Sequence, residues 1–172
     1  MNDQIEEILT YLTKRNDYVI WAGFCVFAHL GIRPSADIDI YVDKAETKEE
    51  MSQYFQNKGW VKQPHKEVGF GWDWDNLEKL ETTFDIVYSP DSAKLLLRDA
   101  VEIGVLGHKA RFLSREWLFL TKLGQLSWLD RKEEKRKRDL ETIDKLRKLI
   151  NPEILNRLAS SLPISYWQAG QI

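Results

Sequence analysis

The stretch from residue 37 to residue 42, Asp-Ile-Asp-Ile-Tyr-Val, constrains the fold more than any other. Its apolar residues occupy every second position, which is typical of a strand with one buried face. Asp is a poor strand former, and Asp37 and Asp39 lie on the same face, roughly 6–7 Å apart along the strand. A divalent cation, which prefers hard oxygen ligands, would offset the repulsion between the two carboxylates. The alternative is a solvated surface strand that carries two Asp residues.

The segments on either side of this strand favour a site. Residues 18–21 form a short apolar run that predicts a buried strand. Gly23 then breaks the strand, and residues 24–30 predict a short helix whose N-terminal amides could bind a phosphate. Later in the chain, Asp85 interrupts an apolar strand. If that strand pairs beside the first Asp strand, three carboxylates come together near a triphosphate.

The remaining pattern predicts an α/β (α+β) fold. We expect a small mixed sheet flanked by helices in residues 1–113, and a C-terminal helical region, residues 114–172, packed on that core as one compact unit. The predicted elements include a helix over 44–57 capped by Thr47, a strand over 80–88, a hairpin over 101–112, and helices that begin after Ser114 and Asn151. Phe70 to Asp75 predicts a strand and turn, where Trp72 and Trp74 could stack on a base or fill the core.

Three motifs follow one another along the chain: the turn Ala22-Gly23-Phe24, the loop Arg33-Pro34-Ser35 before the Asp-x-Asp strand, and Phe84-Asp85-Ile86. In this order they resemble the nucleotidyltransferase superfamily related to DNA polymerase beta. The segments around Lys122 and around Asp139 are similar to the helical region of bacterial stand-alone members, which include abortive-infection toxin nucleotidyltransferases. The resemblance covers roughly residues 18–145 and implies a nucleotidyltransferase-like fold.

The resemblance also implies an activity, namely metal-dependent transfer of a nucleoside monophosphate from an NTP to a hydroxyl acceptor, which could be a tRNA, a protein or a small molecule. It implies that Asp37, Asp39 and Asp85 are catalytic and bind Mg²⁺ or Mn²⁺, and that Asp85 helps to deprotonate the acceptor. The implied nucleotide-binding residues are Gly23, Phe24, Arg33, Ser35 and Lys122.

Phe24 departs from the resemblance, because the family has Ser or a second Gly at this turn position. The alternative is therefore a catalytically weak or inactive member that binds a nucleotide or a partner protein. Lys122 also has an alternative role, as an ion-pair partner of Asp139.

Composition excludes little. A net charge of −2 over 172 residues gives no overall signal for a nucleic acid or membrane partner. The N-terminus does not resemble a signal peptide and no apolar run reaches membrane-spanning length, so we expect a cytoplasmic protein. Residues 131–148 carry nine basic and five acidic residues, a surplus that could guide a tRNA. A solvated helix stabilised by its own i,i+4 ion pairs is the preferred interpretation.

Overall fold

The computed structural model describes residues 3–64, 73–126 and 131–161. Its helices are α1 (Asp3–Leu12), α2 (Ala22–Leu30), α3 (Ala45–Gln56), α4 (Pro90–Arg98), α5 (Arg115–Leu126), α6 (Glu133–Leu146) and α7 (Pro152–Ser161). Its strands are β1 (Tyr18–Trp21), β2 (Asp37–Val42), β3 (Val61–Lys62), β4 (Asp73–Lys79), β5 (Thr82–Tyr88), β6 (Val101–Val105) and β7 (His108–Phe112).

The strands form one mixed sheet in the order β3-β4-β5-β2-β1-β7-β6. Two pairs, β2 with β5 and β1 with β7, are parallel, and the other neighbouring pairs are antiparallel. This sheet and its helices confirm the predicted mixed α/β architecture. The two strands that carry the predicted acids, β2 and β5, are direct neighbours near the centre of the sheet.

The two faces of the central strands differ because their side chains alternate. Ile38 and Phe84 are fully buried, and the ring of Phe84 lies 4.9 Å from that of Phe55 on α3. Helix α3 therefore covers the face that carries these apolar side chains. Asp39 and Asp85 occupy the next position along their strands, so they lie on the opposite face.

A buried ionic group lies on the α3 side of β4. Asp75 is buried, its carboxylate lies 2.7 Å from Lys62 Nζ and 3.5 Å from Lys48 Nζ, and it accepts a hydrogen bond from Ser52 Oγ. We call these four residues the Asp75 cluster. It ties α3 and β3 to β4, since Lys48 and Ser52 lie on α3, Lys62 on β3 and Asp75 on β4.

The chain divides into two compact units, Met1–Leu113 and Ser114–Ile172. The second unit contains α5, α6 and α7, and the predicted starts of α5 and α7 are confirmed. Ser114 Oγ accepts a hydrogen bond from the backbone N–H of Trp117, and Asn151 Oδ1 accepts one from that of Glu153. That this unit packs on the α/β core stays a prediction. Within the described ranges, none of the helices has the length and apolar character that crossing a membrane requires.

Two local predictions were wrong. Helix α3 begins after Lys44, without a side-chain cap, and Thr47 instead donates a hydrogen bond to Asp17 Oδ2 at 3.2 Å. Strand β5 begins at Thr82 and not at residue 80, because Leu80 has a φ of 55° and belongs to the turn after β4. For the stretch predicted over 70–75, β4 starts at Asp73, and residues 70–72 lie outside the described residues.

Candidate active site on one face of the sheet

The register of β2 and β5 brings the predicted acids together. Asp39 lies directly opposite Asp85, and Asp37 lies opposite Thr83. Neighbouring strands are about 4.8 Å apart, so the side chains of Asp39 and Asp85 stand side by side, with Asp37 two residues away on the same face. We call Asp37, Asp39 and Asp85 the acidic face. Asp39 and Asp85, which are far apart in sequence, become neighbours because β2 and β5 pair in parallel.

Asp85 is held by two residues of β4. Its Oδ1 atom accepts a hydrogen bond from Trp74 Nε1 at 3.1 Å and another from Asn76 Nδ2. Burial raises the pKa of Asp85 above its usual value, against the two hydrogen bonds, and the charges of Asp37 and Glu78 raise it further. Asp85 is therefore a better proton acceptor than an ordinary surface aspartate.

The acidic face offers suitable ligands for a hard divalent cation, but not a finished cage. In the part of the chain that the structure describes, no three or more His, Cys, Asp or Glu side chains are gathered closely enough to hold a metal ion. The backbone register nevertheless places three carboxylates on neighbouring positions, and carboxylate oxygens suit Mg²⁺ and Mn²⁺. The charge of Asp37, which raises the pKa of Asp85, is an electrostatic cost that a divalent cation offsets. The chemistry of the donor set thus fits such an ion.

The predicted phosphate turn lies beside the acids. Trp21, the last residue of β1, pairs with Asp39, and α2 begins at the next residue, Ala22. Ala22 has a φ of 54°, so the backbone turns sharply here through the left-handed region. Trp21 caps α2 without a side-chain hydrogen bond. The N-terminal amides of α2, which include those of Gly23 and Phe24, therefore lie next to Asp39.

Gly23 packs closely against the loop before β2. A Cβ atom on Gly23 would lie 3.1 Å from Ser35 Oγ, which is tighter than an ordinary contact. Ser35 Oγ in turn accepts a hydrogen bond from the backbone N–H of Asp37 at 3.2 Å. Arg33 lies two residues earlier in the same loop, half-buried and with a φ of 51°. The loop thus joins the α2 turn to the start of the acidic strand.

The side chain of Phe24 belongs to the core. It is 1% exposed, and its ring lies 6.2 Å from the stacked ring of Phe112 and 5.8 Å from that of Phe27. Only the backbone of Phe24 is therefore placed to contact a phosphate, as it is for Gly23. The departure at this position has a packing reason, because α2 needs a large apolar residue to contact β7.

Lys122 lies in the second unit, on α5, within a buried ionic group. Its Nζ atom is 2.9 Å from Asp139 Oδ1 and donates to Gln125 Oε1 at 2.8 Å, while Arg131 contacts the other Asp139 oxygen. Lys122 and Asp139 are both buried. These contacts stabilise the packing of α5 against α6, and the predicted contact of Lys122 with a nucleotide stays a prediction.

The sequence interpretation missed Asn76 and the hydrogen bond of Trp74. Both residues face Asp85 only because β4 pairs with β5 in a register that sets Asn76 opposite Asp85. The i,i+2 spacing of two side-chain donors in a strand is the signal that could have found them, once that pairing was known. Base stacking by Trp74 stays a prediction, and Trp72 lies outside the described residues.

Comparisons with known proteins find the fold and not a close relative. No protein-family model and no curated protein matches the chain. Among solved structures, an antigenic nucleotidyltransferase-like protein from Paracoccidioides brasiliensis is similar with a TM-score of 0.59 and 14% identity, over 88% of this chain and 78% of that one. The Megavirus polyadenylate synthase is similar with a TM-score of 0.59 and 14% identity, over 83% of this chain and 30% of that longer one. The predicted nucleotidyltransferase-like fold is thereby confirmed.

Proposed function

We propose that the protein transfers a nucleoside monophosphate from an NTP to a hydroxyl acceptor, with Mg²⁺ or Mn²⁺ as the metal. The observation that carries this proposal is the pairing of Asp39 with Asp85 immediately beside the start of α2. The nucleotidyltransferase-like fold supports it. A cytoplasmic location, where NTPs are available, is part of the proposal.

Asp37, Asp39 and Asp85 are the residues that would hold the metal. A bound divalent cation would polarise the phosphoryl group and neutralise charge on the triphosphate. The N-terminal amides of α2, from Gly23 and Phe24, would orient phosphate oxygens, because the N-terminal end of a helix favours anions.

The proton transfer is assigned to Asp85. The acceptor hydroxyl loses its proton to the Asp85 carboxylate while its oxygen bonds to the α-phosphorus, and the bond from that phosphorus to the β-phosphate oxygen breaks, so pyrophosphate leaves. In the metal-free protein, burial and the charges of Asp37 and Glu78 raise the pKa of Asp85, which favours proton uptake by its carboxylate. Arg33 would donate charge-assisted hydrogen bonds to the triphosphate, with Ser35 beside it.

Helix α6 does not favour a nucleic acid over a protein or a small molecule as the acceptor. Its basic residues are interspersed with acidic ones, and Glu134 pairs with Arg138 one turn away, as the ion-pair interpretation predicts. We therefore include total tRNA, protein and small-molecule fractions as acceptors in the assay.

The experiment is incubation of the protein with each of the four α-labelled NTPs and Mn²⁺, alone and with each acceptor fraction. We expect a labelled product that Asp37→Ala abolishes. Asp43→Ala is the matched control and should retain activity, because Asp43 follows the other end of β2. A product that survives Asp37→Ala would contradict the assignment. Calorimetry should also show Mn²⁺-dependent NTP binding by the wild type that Asp39→Asn abolishes. If no product forms and this binding is not seen, the proposed nucleotidyl transfer is rejected.

A further inference from the structure

The hydrogen bonds to Asp85 come from a strand that contributes no acid to the acidic face. Asn76 lies directly opposite Asp85 on β4, and Trp74 lies two residues earlier on the same face. The side chains of Trp74 and Asn76 both donate a hydrogen bond to Oδ1 of Asp85. Two donors at fixed backbone positions restrict rotation of the Asp85 carboxylate.

The choice of oxygen has a chemical consequence. An ionised carboxylate has about four acceptor positions, two on each oxygen. The donors Trp74 and Asn76 fill those of Oδ1, and the described residues donate no hydrogen bond to Oδ2. The Oδ2 atom therefore keeps its lone pairs for a further partner on the side of the acidic face.

We propose that Trp74 and Asn76 are positioning residues, which hold Asp85 through Oδ1 so that Oδ2 is directed to the metal and the acceptor hydroxyl. This inference rests on the proposed function. Groups that hydrogen-bond a metal ligand fix its orientation, and their loss typically weakens metal binding about 10–100-fold. Neither residue touches the reacting atoms, so both act through Asp85.

A purely structural role makes a different prediction, and the chain contains a comparison for it. Trp60 Nε1 donates to Glu7 Oε2 at 3.0 Å, so it makes the same kind of indole–carboxylate hydrogen bond as Trp74. Glu7 lies on α1 and not on the acidic face. Replacing either Trp by Phe removes the donor and keeps an aromatic ring. Trp60 is the more buried of the two, so a structural cost alone should be at least as large for Trp60→Phe as for Trp74→Phe.

The test compares Trp74→Phe and Asn76→Leu with Trp60→Phe, in the full chain, by calorimetric titration with Mn²⁺ alone and by kcat and KM in the labelled-NTP assay. We expect both site variants to bind Mn²⁺ about 10–100-fold more weakly. We also expect kcat to fall while KM for the NTP changes little, and Trp60→Phe to match the wild type. Circular dichroism checks folding, and Trp74→Phe decides the outcome if Asn76→Leu does not fold.

The outcomes separate the two proposals. If the wild type binds Mn²⁺ and transfers the label while Trp74→Phe and Asn76→Leu behave like it, the positioning role is rejected and the proposed function stands. If Trp60→Phe weakens Mn²⁺ binding as much as Trp74→Phe, the effect is structural and the positioning role is again rejected. If the wild type neither binds Mn²⁺ nor transfers the label, the proposed function is rejected, and the positioning role with it.

Discussion

Replacing Phe24 by Ser introduces a residue type that the nucleotidyltransferase superfamily carries at this turn. The variant tests whether the side chain at this position serves the core or the phosphate turn. Phe24 is 1% exposed and stacks on Phe112, so the variant removes a buried ring and leaves a cavity. Truncation of a buried Phe typically costs about 3–5 kcal/mol, and burial of an unsatisfied hydroxyl adds to that. Natural domains have only about 5–15 kcal/mol of stability, so we expect a severe loss of the folded state.

Urea denaturation followed by far-ultraviolet circular dichroism measures this loss. With an m-value of about 2 kcal/mol per molar urea, the midpoint should fall by roughly 2 M while the slope stays unchanged. Phe27→Ser is the matched control, because Phe27 lies on the same helix but is only half-buried, and it should cost less. A Phe24→Ser variant with wild-type stability and tighter NTP binding would refute the reasoning, since the side chain would then belong to the phosphate turn.

Three further predictions follow from contacts elsewhere in the chain. Gly23→Ala should destabilise the wild type more than it destabilises the Ser35→Ala variant, because the added Cβ meets Ser35 Oγ at 3.1 Å. Urea denaturation of the two single variants and the double variant should give a coupling free energy of about 0.5–3 kcal/mol between the two positions. Additive effects of the two substitutions would contradict this. In the Asp75 cluster, burial raises the pKa of Asp75 but its lysine and serine partners lower it more, so the folded pKa is below the ordinary 3.8. The stabilisation that Asp75→Asn removes should therefore be fully present above pH 3.8 and be lost on acidification below it. Urea midpoints of the wild type and the variant between pH 2 and 7 measure this stabilisation. A difference in midpoint that does not change with pH would refute the prediction. Asp139→Ala should cost about 3–5 kcal/mol in thermal or urea unfolding, and more than Lys122→Met, because it takes the carboxylate away from the buried Lys122 and the half-buried Arg131.

The local elements were predictable because they depend on patterns a few residues long. The alternation from residue 37 to residue 42 gave β2, and the apolar run of residues 18–21 gave β1 with its stated ends. Capping residues gave the starts of α5 and α7, since the Ser114 and Asn151 oxygens reach amides within the same turn. In each of these cases the physical cause lies inside the segment.

The arrangement of the site was less predictable because pairing across the sheet decides it. Asp85 could be singled out as an acid in an apolar strand, but only the register with β2 sets it beside Asp39. Asn76 carried no signal by itself, since an amide in a strand is unremarkable until its partner is known. Thr47 was misassigned for a similar reason, because a tertiary contact with Asp17 competes with the local capping preference.

The structure also changes which residues support the proposed chemistry. Gly23 has a packing reason, since a Cβ atom there would lie 3.1 Å from Ser35 Oγ, and so its presence does not by itself indicate a phosphate. The packing of Phe24 in the core likewise explains its presence, so Phe24 is not evidence against a phosphate site. Neither turn residue distinguishes an active enzyme from an inactive relative. The feature that supports the proposed activity is the row formed by Asn76, Asp85 and Asp39 across three strands, in which one half-buried acid is held by neutral donors and stands beside another acid. Such a row costs electrostatic energy in a purely structural strand, and it becomes useful when a cation and a proton donor are present.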